Sequence, residues 1–355
     1  MTRARLLLSS LNLGAALFLT IAGCRRPDRR VEYATLHQAS LQSAAVSSSA
    51  ARSTRAPLPR SQHTTGLVGE TLFPALTSDR RTLYFSSSRH GPNYSIYRKE
   101  IDAAPWTLLT GGEWSDIHPA PSPDCAWIAF SSDRDGLWSL YLLDASGGGQ
   151  PRRLTESGGD AFGPSWSPDG RRVAFFRSGA RTGGYEIWLL DVETRTEAYL
   201  TDGLFPAWSP ATHEGEWIAY QKPRERDGAW YSLWKIRPDG ASPTEILRAD
   251  TWGAVHPSWS PDGEWLVFAA AGKEPPAGTP ESPMQRPRKA DDLYLVRASG
   301  ASLTDLTGDR ESVAEWNPSF GPDGRIYFNC DSGGGVNVWS LDPKIGSVRV
   351  PVREQ

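Results

Sequence analysis

Pro164-Ser165-Trp166-Ser167-Pro168-Asp169-Gly170, followed by Arg172-Val173-Ala174-Phe175-Phe176, is the stretch that decides the fold. Proline presets φ, aspartate can close an Asx-turn onto the backbone, and glycine accepts positive φ, so Pro-Asp-Gly is a tight turn by mechanism. A short apolar run on its far side reads as the second strand of a hairpin. The phrase returns as Ser258-Trp259-Ser260-Pro261-Asp262-Gly263 and Ser319-Phe320-Gly321-Pro322-Asp323-Gly324, and as Pro121-Ser122-Pro123-Asp124 with Cys125 in the glycine position. Its leading proline occurs six times, in Phe73-Pro74, His118-Pro119, Gly163-Pro164, Phe205-Pro206, His256-Pro257 and Asn317-Pro318, at intervals of 45, 45, 42, 51 and 61 residues.

Each unit then continues in the same way. After the turn comes an apolar strand such as Trp127-Ile128-Ala129-Phe130 or Trp265-Leu266-Val267-Phe268, then an alternating one such as Ile187-Trp188-Leu189-Leu190, then a polar one such as Tyr199-Leu200-Thr201. Four strands every 40 to 60 residues is the period of a propeller blade, so six units predict an all-β, six-bladed β-propeller of four-stranded blades. The sixth blade needs a closing strand, either Gly346-Ser347-Val348-Arg349-Val350 or a segment around 60–70. Composition agrees: 34 Gly, 28 Pro and 15 Trp in 355 residues, every Trp at or after position 106, argue against a helical enzyme. A net charge of −3 leaves no global footprint for nucleic acid, which is not expected as a partner.

Ahead of the repeats lies a different kind of chain. Arg3 and Arg5 precede a mostly apolar run, Leu6 to Ile21, which is too short and interrupted for a membrane span and reads as a secretory signal. It ends Leu19-Thr20-Ile21-Ala22-Gly23-Cys24, which resembles the bacterial lipobox and makes Cys24 the expected lipidation site. A multiply acylated cysteine holds a protein to a membrane without a spanning helix. Arg25 follows, where the usual inner-membrane retention residue is Asp, so export to the periplasmic face of an outer membrane is the expected destination. Residues 25–68 hold seven Ala, seven Ser and seven Arg with few apolar anchors, the composition of a flexible tether. The tether carries +5 and residues 69–355 carry −10. The expected organisation is therefore a signal peptide over 1–23, the lipidated Cys24 and tether over 24–68, and a propeller over 69–355.

The repeat resembles the TolB-type, WD-like propeller family of bacterial periplasms, whose units carry Pro-x-Trp-Ser-Pro-Asp-Gly, Ile-Ala-Phe, a Ser-Asp-Arg-x-Gly turn, Ile-Tyr and Leu-Thr. Ser132-Asp133-Arg134-Asp135-Gly136 is the closest copy of that turn, and the resemblance covers about 69–345. It implies the fold strongly and the function weakly, because such blades serve envelope proteins and peptidases alike. By analogy with TolB, the implied partner is an envelope protein such as a peptidoglycan-associated lipoprotein. TolB carries an α/β domain before its propeller, whereas this chain has the tether.

Chemistry is sparse. No Gly-x-Ser-x-Gly elbow occurs, and the six histidines show neither a His-x-x-x-His helix nor a Cys-x-x-Cys companion, so no hydrolase, metal or cofactor is expected. Cys125 and Cys330 fall at opposite ends of different blades, too far apart for a disulfide. His118 and His256 share one position before a blade proline, and read either as paired groups at a channel mouth or as hydrogen-bonding loop residues. Loops that enter first strands share one face with loops that join second to third strands, and the Pro-Asp-Gly turns take the other. The first set carries Trp114, Asp116, His118, Arg134, Asp160, Phe162, Trp252, His256, Glu315 and Trp316, a Trp-and-charge mixture suited to recognition of protein or sugar. The same Trp residues read otherwise as wedges between blades. The expectation is a monomeric, non-catalytic propeller binding an envelope protein through this loop face. A glycan or small ligand at the channel mouth, with weak lyase or hydrolase chemistry, is the alternative. A Pro-rich insertion over 272–290 reads as a partner arm or a solvated loop.

Overall fold

A Pro-Asp-Gly turn leaves its two flanking strands no choice but to pair, and in the computed structural model every such hairpin forms. Residues 58–66, 68–156, 158–179, 184–224, 231–249, 252–271, 292–308 and 313–345 are described. Among them, 24 strands build six four-stranded antiparallel sheets. A short strand β1 (Arg60–Gln62) precedes blade 1, which comprises β2 (Thr71–Leu76), β3 (Thr82–Ser87), β4 (Ser95–Glu100) and β5 (Thr107–Leu108). Blade 2 holds β6 (Asp116–Pro121), β7 (Trp127–Ser132), β8 (Ser139–Asp144) and β9 (Arg152–Arg153). Blade 3 holds β10 (Ala161–Trp166), β11 (Arg172–Ser178), β12 (Tyr185–Asp191) and β13 (Glu197–Asp202). Blade 4 holds β14 (Leu204–Trp208), β15 (Ile218–Pro223), β16 (Tyr231–Ile236) and β17 (Thr244–Leu247). Blade 5 holds β18 (Gly253–Trp259), β19 (Trp265–Ala271), β20 (Asp292–Arg297) and β21 (Thr304–Asp305). Blade 6 holds β22 (Glu315–Phe320), β23 (Ile326–Cys330) and β24 (Asn337–Leu341). First strands contact first strands all the way round, β22 meeting β2, so they form the inner wall of the ring.

The core is a set of layers between blades. Ala129, Leu140 and Leu142 of blade 2 pack on Val173, Phe175 and Leu190 of blade 3. Leu83, Phe85 and Tyr97 of blade 1 pack on Tyr327 and Val338 of blade 6, which seals the circle. Second and third strands are therefore apolar on both faces, while outer strands such as Thr107–Leu108 lie exposed. That is the gradient from buried to polar seen along each repeat.

The turns use their residues as the motif predicts. Ser167 Oγ donates to Asp169 Oδ1 at 2.6 Å and accepts the Arg172 N–H at 2.9 Å, while Asp169 Oδ1 accepts the Arg171 N–H at 3.0 Å. The Ser167 hydrogen bond is the main reason the Asp169 carboxyl sits below the usual carboxylate range. Gly170, Gly263 and Gly324 take φ of 73°, 72° and 80°, and Arg80 and Cys125 stand in the same left-handed position at 64° and 59°.

Ring closure falls to the N-terminal side. β1 pairs with β24 in the register Arg60↔Leu341, Ser61↔Ser340 and Gln62↔Trp339, so the last sheet runs β1-β24-β23-β22. The propeller thus begins ahead of the expected boundary at 69, inside the stretch assigned to the tether. A three-residue strand has no periodicity of its own to announce it. The alternative closing segment, 346–350, lies outside the described residues, as do Cys24, the signal segment and the 272–290 insertion. Arg60 forms an ion pair with Glu315 at the start of the inner strand of the same blade, both side chains nearly inaccessible at 5% and 2%. Thr64 Oγ1 bridges Asn337 Oδ1 at 3.2 Å and the Val338 N–H at 2.9 Å.

Two outcomes are expected from this framework. Replacing Cys125 by Gly relieves a left-handed side-chain conformation and raises stability by roughly 0.5–1 kcal/mol, read as a higher urea midpoint at unchanged slope. Glu315→Ala removes the buried carboxylate that pairs with the Arg60 guanidinium and costs about 3–5 kcal/mol by the same titration. A loss below 1 kcal/mol there would show that the pair does not hold the ring.

Candidate functional site

Each inner strand breaks register at its X-Pro step, between Leu72 and Ala75, Ile117 and Ala120, Phe162 and Ser165, Leu204 and Ala207, Val255 and Ser258, and Trp316 and Ser319. The extra residue is a β-bulge, tolerated with proline because proline has no N–H to lose from the ladder. The residue before the proline adopts positive φ in all six blades: Phe73 56°, His118 55°, Gly163 60°, Phe205 48°, His256 54° and Asn317 49°. For a side chain as large as Phe this is a costly conformation, repeated around the ring and held from outside. The holding groups belong to the preceding blade: Asn329 Oδ1 accepts the Phe73 N–H at 3.1 Å, Ser131 Oγ that of Gly163 at 3.2 Å, and Gln221 Oε1 that of His256 at 3.0 Å.

The bulge turns these side chains onto the channel axis, where they meet. Ring centroids lie 4.1 Å apart for Phe73 and His118, 5.9 Å for His118 and Phe205, and 4.3 Å for Phe205 and His256, and Phe162 adds a contact to His118 at 6.5 Å. On the Pro-Asp-Gly side of this aromatic constriction is a cavity of about 380 Å³, lined by the six bulge prolines and by Ser78, Trp166 and Ser258 among others. It opens outward into a funnel of about 1150 Å³, walled by Asp79, Arg80, Asp124, Trp127, Arg152 and Asp169 together with the turn prolines. Trp127 is the funnel's exposed aromatic, 37% accessible, with the Arg152 guanidinium 5.5 Å above its ring. Two funnel carboxylates are pre-set as anions: hydrogen bonds from Ser122 and Ser167 are the leading cause that Asp124 and Asp169 sit below the usual range.

The concave surface therefore lies on the face opposite to the loops singled out from sequence. Most of those loop residues are in the inner strands or the core. Asp116, Phe162, Glu315 and Trp316 are buried in β6, β10 and β22. His118 and His256 are buried in strands, not loops, and face the constriction. Trp252 is half-buried and stacks on Tyr294 at 5.2 Å and Phe268 at 5.8 Å. Asp160 caps a turn, its Oδ1 accepting the Trp138 N–H at 2.9 Å. Arg134 donates to Asp116 at 2.9 Å and lies 5.2 Å over the half-buried Trp114 and 4.8 Å over Tyr141. Asp133 and Asp135, in the same turn, serve the backbone of Ser115 and the Tyr141 hydroxyl. Among the described residues, no group of three or more His, Cys, Asp or Glu is arranged to hold a metal, and no helix is long and apolar enough to cross a membrane. Cys125 and Cys330 are free thiols.

A closed ring of six four-stranded blades with bulged inner strands around a central channel defines the class of six-bladed β-propellers. The chain belongs to the TolB beta propeller domain family, whose model matches residues 59–261. An uncharacterised protein of Agrobacterium fabrum is 29% identical over 58% of this chain and 66% of its own length. The Tol-Pal system protein TolB of Gluconobacter oxydans is 32% identical over 35% of this chain and 27% of its own length. The chain thus spans about two thirds or less of these relatives. Among solved structures, one titled as putative TolB from Agrobacterium tumefaciens superposes with a TM-score of 0.56, at 23% identity, over 77% of this chain and 90% of that one. An oligogalacturonate lyase from Vibrio parahaemolyticus shares the fold at a TM-score of 0.51 and 15% identity, over 80% of this chain and 93% of that one.

Removing the Arg134 side chain leaves the fully buried Asp116 carboxylate without its cation. Arg134→Ala is expected to lower stability by about 3 kcal/mol, because breaking a buried pair strands the remaining charge. Urea titration tests this, and a loss below about 1 kcal/mol would show that the pair adds little to the stability of the blade.

Proposed function

We propose that this chain is a non-catalytic, exported binding propeller, anchored through a lipid on Cys24, that takes an envelope protein into the funnel on its Pro-Asp-Gly face. The observation that supports it is the funnel. It is a broad concavity, it carries the exposed Trp127 beside Arg152, and it narrows to a cavity wide enough for one or two side chains of a partner. The likeness to Tol-Pal system proteins supports an envelope partner and a periplasmic address. The loop face offers less, because its tryptophans are spent on packing.

A second reading keeps a glycan or small ligand in the central cavity beside His118 and His256. What favours it is that both imidazoles line that cavity. What weighs against lyase or hydrolase chemistry is their packing: Phe205 touches both rings, and the walls around them are proline.

Photocrosslinking residues placed singly at Arg80, Trp127, His90 and Glu113 of the full-length protein, in its native envelope, separate the faces. Adducts from the first two and not the last two are expected. Trp127→Ala combined with Arg152→Ala should reduce adduct yield about tenfold in a protein of unchanged melting behaviour, the scale of a lost anchor residue. Adducts confined to His90 and Glu113 would return the binding surface to the loop face.

A further inference from the structure

The strand that closes the ring carries a histidine in an unusual setting. His63 follows β1 directly, and its Nε2 lies 2.8 Å from Ser340 Oγ on β24. Ser340 Oγ also receives Arg325 Nε at 3.1 Å and Arg325 Nη2 at 3.0 Å. A hydroxyl has one proton and two lone pairs, and a guanidinium only donates. Both lone pairs are therefore taken by Arg325, and the Ser340 proton points at His63. His63 Nε2 accepts, so the closed ring holds a neutral imidazole with its proton on Nδ1.

The surroundings make that state obligatory. The ring packs on Tyr327 of β23 at 5.2 Å, and Lys99 Nζ of β4 donates to the His63 carbonyl at 2.7 Å. Lys99 and Arg325 bring positive charge to the ring from two blades, and Asp323 and Asp102 bring partial compensation. On β1 itself, Arg60 is committed to Glu315. Burial, reinforced by Lys99 and Arg325, pushes the imidazole down to about 4. A proton on Nε2 would confront the Ser340 O–H with a second donor and add a third cation beside Lys99 and Arg325.

We propose that β1 is an acid-sensitive latch: protonation of His63 releases the 60–64 segment from β24, opening the ring of blades at its single non-sequential seam and exposing Asn337–Leu341 as an unpaired strand edge. The bonds lost together are β1's pairing with β24, the His63 N–H to the Val338 carbonyl at 2.9 Å, and the Thr64 bridges to Asn337 and Val338. An unpaired edge is a template for a partner's strand, so the latch would also gate strand addition at blade 6. The sign follows from the two states. His63 is uncharged when closed and titrates near 6.5 when released, so closure is at full strength above pH 6.5 and weakens as pH falls towards 4. One proton taken up per opening gives about a tenfold rise in the opening constant per pH unit across that window.

Hydrogen exchange read by mass spectrometry on the full-length protein, between pH 6.5 and 4.5 and normalised to intrinsic exchange, tests this. Peptides covering 58–66 and 336–342 should lose protection by roughly fortyfold over the two units, while peptides of β11 and β12 keep theirs. His63→Gln, which has no titrating group, should flatten the dependence. A slope that survives in His63→Gln would assign it to another group, such as Glu315, and overturn the proposal. Should that variant fail to fold, an NMR titration of His63 in the unaltered protein decides: an apparent pKa well below 6.5 supports the latch, and a value of 6.5 or above overturns it.

Discussion

A ring built from one chain must be sealed where its first and last elements meet, and here three residues do it. Arg60–Gln62 add the fourth strand to blade 6, and the apolar layer of Leu83, Phe85 and Tyr97 against Tyr327 and Val338 lies just inside that seam. The other five blades are completed by their own sequence, each outer strand following its third strand through a turn. Only the sixth depends on residues some 275 positions away, as the 277-residue separation of His63 and Ser340 shows. Closing so long a loop is entropically costly, and the cost is met by groups placed at the seam: a buried ion pair, the Thr64 bridges and the Lys99 cap.

The seam in turn fixes the channel. With the circle closed, Asn329 of blade 6 reaches blade 1, accepting the Phe73 N–H and donating to the Thr71 carbonyl at 2.6 Å. That contact is the sixth-to-first version of the Ser131–Gly163 and Gln221–His256 bonds between other blades. Left-handed backbone at Phe73, His118, Phe205, His256 and Asn317 would relax in an isolated hairpin. It persists because neighbouring blades specify it, and its result is an aromatic constriction with a funnel-shaped cavity on its turn side.

The two faces consequently differ in chemistry. On the loop face, tryptophan and arginine are paired internally, as in Arg134 over Trp114 and Arg89 over Trp106 at 4.7 Å, which stiffens the blades and leaves few free aromatic surfaces. On the turn face, the Ser-x-Asp pairs hold carboxylates ionised around an apolar, proline-lined hollow. Charged rim and apolar centre are the usual division of a recognition surface.

The repeat, the number of blades, the strands that each of the first five blades supplies for itself and the turn chemistry were legible in the sequence, because every one of them is local: Pro-Asp-Gly dictates its own turn, and period-two apolar runs dictate the strands beside it. The lipobox-like Cys24 is local in the same sense and belongs wholly to the sequence reading. Which residues face a partner was not legible. Trp252, Trp316, Asp116 and Glu315 look like surface chemistry in a linear list, and the fold spends them on stacking and buried ion pairs. His118 and His256 shared a position that the sequence did show, yet the bulge that turns them into the channel appears only in the register with which each first strand pairs with the second strand of its own blade. The strand that seals the ring is three residues of unremarkable pattern, and its role exists only because the other end of the chain comes back to meet it. Local geometry is written in neighbouring residues, whereas burial, closure and the choice of face depend on contacts between residues far apart in the chain, and those only the tertiary structure decides.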